Sequence, residues 1–190
     1  YYWRVDEVKA DGTITAGNLW SFTVADFLVE DNFEAYNDIN PEEPGTNRIF
    51  MAWVDGFGTT TNGSMVGNID PPFAEMVIVH GGRQSMPYAY NNNGMISEAT
   101  LTLTDQRDFT EQGAAKLSLW FRGSTDNAPT RMFVALNGNA VVYHDNAEVT
   151  KTAAWTEWVI DLQQFAGQGV NLANVNTITI GFGTKGSPVA

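Results

Sequence analysis

The sequence predicts an all-β protein built from antiparallel strands. Hydrophobic residues make up 43% of the 190 residues, which is enough for a packed core. Side chains of opposite character alternate in many short segments, as Leu117, Leu119 and Phe121 do against their neighbours. Clusters of Gly, Asn, Asp and Pro separate these segments, and Asn137-Gly138 is a strong hairpin signal. Many short strands with turns between them indicate a sandwich or a barrel.

The predicted strands follow one another along the whole chain. Tyr1 to Val8 and Leu19 to Val24 flank a turn-rich connector that carries Asp11-Gly12. Most of the later segments alternate, and turn-forming residues separate them. They are Arg48 to Val54, Met76 to His80, Ser85 to Tyr90, Ala99 to Thr104, Lys116 to Arg122, Arg131 to Leu136, Ala140 to His144, Thr156 to Leu162 and Asn176 to Phe182. One short helix is predicted, from Leu162 to Ala166.

The composition argues against several classes of function. The formal net charge is -12, so nucleic acids and anionic membrane surfaces are disfavoured as partners. The chain has no cysteine, which excludes thiol catalysis, thiolate metal sites and disulfides. No segment approaches the roughly 20 consecutive apolar residues of a membrane helix, so we expect no membrane insertion.

The sequence predicts that residues 1–25 are a unit separate from residues 26–190. The segments Tyr1-Tyr2-Trp3-Arg4-Val5 and Trp20-Ser21-Phe22 are spaced as in the last two strands of a fibronectin type III domain, which they resemble. The resemblance implies that residues 1–25 are the C-terminal hairpin of such a module, without its first strands. An isolated hairpin is marginal in water, so we expect it to need a partner, either the rest of this chain or another copy.

Residues 26–190 contain an ordered series of motifs: DNFEAYND, IVHGGRQSMPYAY, KLSLWFRG, WTEWVIDLQQF and NTITIGFG. The series resembles the jelly-roll domains of secreted multidomain bacterial proteins, and it is similar to calcium-stabilised carbohydrate-binding modules and laminin-G-like modules. The resemblance implies an antiparallel jelly-roll β-sandwich, in an extracellular or cell-surface location. Such domains usually close with a strand that carries an acidic pair, so we expect residues 26–190 to lack the last strand.

Two of these motifs place carboxylates among aromatic and apolar residues. A carboxylate beside buried strand positions is costly without a partner, and a calcium ion bound through oxygen ligands is one solution. The resemblance implies a structural calcium held by acidic residues of the first strand and of a late strand, for which the candidates are Glu34, Asp31 and Asp161. In the alternative interpretation, Asp31 lies in an exposed turn and Asp161 points outward between Ile160 and Leu162.

Aromatic side chains provide candidates for ligand binding, because neutral sugars present flat CH faces that stack on aromatic rings. The candidate rings are Trp53, Tyr88, Tyr90, Trp120, Tyr143 and Trp155. Trp120 is the clearest, because Leu119 and Phe121 take the inward face of the same strand. Asn92 lies in an amide-rich loop that offers hydrogen bonds to hydroxyl groups. In the alternative interpretation these rings belong to the core.

No catalytic motif stands out. The only histidines are His80 and His144, and they show no metal-binding spacing; His80 is interpreted as a strand-end residue bonded to a backbone carbonyl. We therefore expect a binding module for a polysaccharide or glycan, and no enzyme. The alternative is a structural or adhesive subunit of an extracellular filament or surface layer, in which copies of the chain complement one another's sheets with a strand.

Overall fold

The computed structural model describes residues 2–21 and 27–188, and it confirms an all-β protein with antiparallel sheets. Its strands are β1 (Tyr2–Trp3), β2 (Glu7–Val8), β3 (Ile14–Thr15), β4 (Trp20–Ser21), β5 (Trp53–Val54), β6 (Met65–Val66), β7 (Tyr88–Ala89), β8 (Ser97–Thr102), β9 (Lys116–Phe121), β10 (Met132–Leu136), β11 (Ala140–Tyr143), β12 (Thr156–Asp161) and β13 (Thr177–Phe182). The helices are α1 (Ile49–Ala52) and α2 (Gln163–Ala166), and 3-10 turns lie at Glu111–Gly113 and Val149–Lys151. No helix within the described ranges is long and apolar enough to cross a membrane.

The largest sheet contains five strands in the order β11-β10-β13-β8-β5, and each neighbouring pair is antiparallel. All residues of β10 are buried, so this strand is covered on both faces. One face carries Met132 and Val134 into the main apolar cluster, and Ile178 and Ile180 of β13 join them. This sheet forms the first layer of the core.

Strands β9 and β12 form a second, two-stranded layer with Lys116 opposite Asp161 and Phe121 opposite Thr156. Inward positions alternate with exposed ones along both strands, as period-two patterning predicts. The inward side chains of Leu119 and Trp158 join the same apolar cluster as the five-stranded sheet. The core therefore lies between the two layers, and α2 closes one end with the fully buried Phe165.

The predicted N-terminal hairpin is present between residues 2 and 21. Strands β1 and β4 pair, β2 and β3 pair, and the rings of Trp3 and Trp20 stack at 5.9 Å between centroids. Each strand has only two residues and an exposed burial pattern. Tyr1 and the end of the second predicted strand, residues 22–24, lie outside the described residues.

One strand prediction was correct only in part, and another was wrong. The segment Arg48 to Val54 contains the strand β5 only at its end, Trp53–Val54. It begins with α1, because one helical turn places Ile49 and Trp53, four residues apart, in the same core. The segment Met76 to His80 forms no strand, because the side chain of Glu75 accepts hydrogen bonds from its backbone. The Oε1 atom of Glu75 accepts hydrogen bonds from the N–H groups of Val77 at 2.6 Å and Ile78 at 3.1 Å.

The pairing of β10 with β13 requires glycine at position 181. Gly181 lies opposite Phe133, and a Cβ atom at this position would lie 2.2 Å from Cζ of the Phe133 ring. Because Phe133 is fully buried, the ring has no room to move. We expect Gly181→Ala to lower the free energy of unfolding by about 1–3 kcal/mol in a denaturant titration. Gly81→Ala is the control, since its Cβ would meet nothing within 4 Å; equal stability of the two variants would contradict this packing.

Candidate ligand-binding site

The outer face of the β9–β12 layer combines aromatic and polar side chains. Period-two alternation points Ser118 and Trp120 outward from β9, and Glu157 outward from β12. Trp120 is 42% exposed, and it lies directly opposite Glu157 in the register of the two strands. The outward position predicted for Trp120 is therefore confirmed.

Three aromatic rings, His80, Trp120 and Trp155, meet on this face and are called the aromatic patch below. The His80 imidazole stacks on the Trp120 indole, with centroids 3.8 Å apart and planes 16° from parallel. Trp155 meets His80 at 5.7 Å with an interplanar angle of 60°. The patch thus combines a stacked pair with a third ring set at an angle.

Polar groups surround the aromatic patch. The Ser118 hydroxyl donates a hydrogen bond of 2.6 Å to Oε1 of Glu157, which orients that carboxylate beside Trp120. The Arg122 guanidinium donates from Nε to the carbonyl of Ala153 at 2.9 Å. The face therefore places flat aromatic rings next to a hydroxyl, a carboxylate and a guanidinium, which offer apolar contact together with hydrogen-bond donors and acceptors.

A loop from another part of the chain delivers His80 to the patch. Glu75 and Ser85 form a two-way backbone bridge at the base of this loop. Directly before Ser85, Oε1 of Glu34 accepts hydrogen bonds from the N–H groups of Arg83 at 2.8 Å and Gln84 at 3.2 Å. These two contacts hold the base of the loop.

Tyr88 and Tyr90, two other predicted ligand-binding residues, are placed differently. Both rings pack on Phe182, with centroids 4.9 Å apart in each case. The Tyr88 hydroxyl donates to the carbonyl of Ile180 at 3.1 Å, and burial raises the pKa of Tyr88 above its ordinary value. Their shared strand face points to the interior, so they do not form part of the aromatic patch.

The remaining predicted ligand-binding residues also lie away from the patch. Trp53 is 3% exposed and donates from Nε1 to Oδ2 of Asp31 at 2.8 Å, so its ring offers no face to a ligand. Asn92 lies near Thr130, with 3.4 Å between its Nδ2 atom and Oγ1, while its Oδ1 atom is buried without a hydrogen-bond partner. Tyr143 packs on Phe133 in the five-stranded sheet.

The predicted metal ligands are engaged in hydrogen bonds. Asp31 accepts from the N–H of Phe33 at 2.7 Å and from the indole of Trp53, and the Tyr36 hydroxyl donates to the same carboxylate at 2.5 Å. Burial and this hydrogen bond to Asp31 both raise the pKa of Tyr36. The backbone N–H of Arg83 is the main cause of a lowered pKa for Glu34.

Asp161 lies on β12 and accepts a hydrogen bond from the N–H of Gln163 at 2.8 Å, at the start of α2. Asp31, Glu34 and Asp161 do not form a metal-binding group, and no other group of three acidic or histidine residues does so in residues 2–21 and 27–188. Calcium bound with the help of backbone carbonyls stays a prediction.

Sequence reasoning missed His80 as a member of the patch. Its imidazole stacks on a residue forty positions away in the sequence, and no local pattern reports such a contact. Glu157 was missed as well, although its alternation with Trp158 and Ile160 on β12 already pointed it outward.

Comparison with known proteins gave no relative for this chain. No family model matches the sequence, and neither a curated protein nor a solved structure matches it.

The calcium prediction is tested by thermal unfolding with and without a chelator. A calcium ion bound only to the folded protein at 100 times its Kd stabilises it by about 2.7 kcal/mol, so the chelator should lower Tm. Glu34→Gln should remove this response, while Asp70→Asn at an exposed position should retain it. Identical melting curves for the natural protein with and without chelator would contradict calcium binding.

Proposed function

We propose that this protein is a non-catalytic binding domain for a neutral polysaccharide or glycan, which it holds on the aromatic patch. The observation that carries the proposal is the exposed stack of His80 on Trp120, next to the Ser118–Glu157 hydrogen bond. We further propose an extracellular or cell-surface location, because the chain resembles modules of secreted proteins.

The chemistry of the patch favours a sugar. Stacking on Trp120 and Trp155 buries the CH face of a pyranose, while Glu157 and the hydroxyl oxygen of Ser118 accept hydrogen bonds from the sugar hydroxyl groups at its rim. Trp120 and Glu157 belong to paired strands and His80 belongs to a loop closed by a backbone bridge, so little conformational entropy is lost when a ligand binds. A net charge of -12 disfavours polyanionic glycans, so a neutral chain is the proposed ligand.

We also infer that the two layers belong to a jelly-roll β-sandwich. A five-stranded antiparallel sheet facing a second antiparallel layer across one core supports this interpretation. In such a sandwich, the outer face of a layer is available for ligands because the inner face is occupied by the core. The hairpin at residues 2–21 is proposed to derive from a fibronectin type III-like module.

The test is retention on immobilised polysaccharides, using the natural protein and Trp120→Ala. If the patch binds sugar through this ring, the substitution should weaken binding by about 2 kcal/mol, or roughly 30-fold, as for a central aromatic contact. The apparent Kd on each polysaccharide measures the effect. Circular dichroism and the melting curve check that the variant is folded.

Trp20→Ala is the matched control. Trp20 is also exposed, at 56%, and it also stacks on another aromatic ring, but it lies on the N-terminal hairpin. Equal loss of binding in both variants would mean nonspecific adsorption through tryptophan. Retention on no polysaccharide, or full retention by folded Trp120→Ala, would refute the proposal.

A further inference from the structure

The aromatic patch is not planar. The ring plane of His80 lies 16° from that of Trp120 and 60° from that of Trp155. The two tryptophan planes are therefore inclined to each other by at least 44°, the difference between these two angles. The patch thus presents two indole rings that face in different directions.

The backbone around the patch holds this inclination. With 3.8 Å between centroids, the His80 imidazole covers one face of the Trp120 indole, so a ligand reaches this ring from the other face. The bridge between Glu75 and Ser85 closes the loop that carries His80. Trp155 directly precedes β12, and six residue pairs with β9 fix the position of that strand. The inclination of the rings is therefore built into the site.

A flat polysaccharide surface does not fit two inclined rings. In a crystalline polysaccharide, parallel chains present the CH faces of many sugar rings in one plane. When one indole lies flat on that plane, a tilt of 44° lifts the far edge of the other by roughly 3 Å. A gap of about 0.5–1 Å already loses a quarter to a half of the dispersion attraction. Only one of the two tryptophans can therefore stack on a crystalline surface.

A single chain that is separated from its neighbours does fit. Successive sugar rings of such a chain rotate about the glycosidic bonds, so two of them can face two inclined indoles. Each indole then keeps a parallel contact with a CH face, which gives aromatic stacking its strength. In a crystal the neighbouring chains prevent this rotation.

The carboxylate beside the rings also requires a separated chain. Glu157 lies opposite Trp120 in the strand register and accepts one hydrogen bond, of 2.6 Å, from the Ser118 hydroxyl. An ionised carboxylate has about four acceptor positions, so Glu157 can accept further hydrogen bonds from sugar hydroxyl groups. In a crystalline polysaccharide, the hydroxyl groups at the edges of the sugar rings donate to neighbouring chains. A separated chain leaves them free to donate to Glu157.

We propose that the aromatic patch binds a single, separated chain of a neutral polysaccharide and does not bind its crystalline surface. This inference rests on the glycan binding proposed above, and it specifies the physical form of the ligand. Two observations carry it, the inclination of the two indole planes and the oriented carboxylate beside them.

Binding of the natural protein to two physical forms of the same polymer tests the proposal. The probes are amorphous and microcrystalline cellulose, amorphous and crystalline chitin, and soluble and granular starch. Depletion of the protein from solution gives an apparent Kd on each form, which does not depend on the number of accessible sites. On any pair that is bound, the amorphous or soluble form should bind at least about tenfold more tightly, because both indoles contact it.

Trp155→Ala removes the second ring and keeps Trp120. It should weaken binding to the amorphous or soluble form about tenfold, because one of the two stacking contacts is lost. Trp3→Ala is the matched control, since Trp3 is a 52% exposed and stacked tryptophan of the N-terminal hairpin. It should bind as the natural protein does. Circular dichroism checks that both variants are folded.

The outcomes separate this inference from the proposed function. Equal or tighter binding to a crystalline form would overturn the inference and leave glycan binding on the patch in place. Unchanged binding of folded Trp155→Ala to the amorphous or soluble form would also overturn it, since one ring would then be sufficient. A natural protein that binds none of the probes in either physical form would refute the proposed function, and the inference with it.

Discussion

The pairing of β9 with β12 is the constraint on which the rest of the structure depends. Its register of six residue pairs gives every position on β9 a definite environment. Odd-numbered side chains enter the core beside Trp158 and Ile160, and even-numbered side chains form the outer face that carries Trp120. A shift of one residue would bury Trp120 and expose Leu119, and would remove the aromatic patch.

Carboxylates organise the loops around this pair of strands. Asp31 joins a turn to the indole of Trp53 and the hydroxyl of Tyr36, whereas Glu34 anchors the loop that delivers His80. Glu75 accepts hydrogen bonds from backbone amides at the base of that loop. Each carboxylate is therefore stabilised by N–H or O–H donors at close range, which offsets the cost of partial burial. The acidic character of the chain has a structural role in these loops.

The long strands were predictable from sequence, since β9, β10, β12 and β13 combine clear apolar patterns with definite ends. The predictions that failed depend on contacts between distant residues, which a local sequence pattern does not encode. Hydrogen bonds to Glu75 make an apolar segment a loop instead of a strand. The spacing of Tyr88 and Tyr90 predicts that they share one face of a strand, but it does not predict whether that face points to the core or to solvent. The stack on Trp120 requires knowledge of a distant loop.

Indole N–H signals in an NMR titration with a retained polysaccharide fragment test the central claim most directly, because the six tryptophans occupy distinct environments. The signals of Trp120 and Trp155 should shift with ligand concentration. Those of Trp53 and Trp158 are buried and should stay in place, and those of the hairpin should also stay. Shifts confined to the hairpin tryptophans, or none at Trp120 while the fragment binds, would contradict the account.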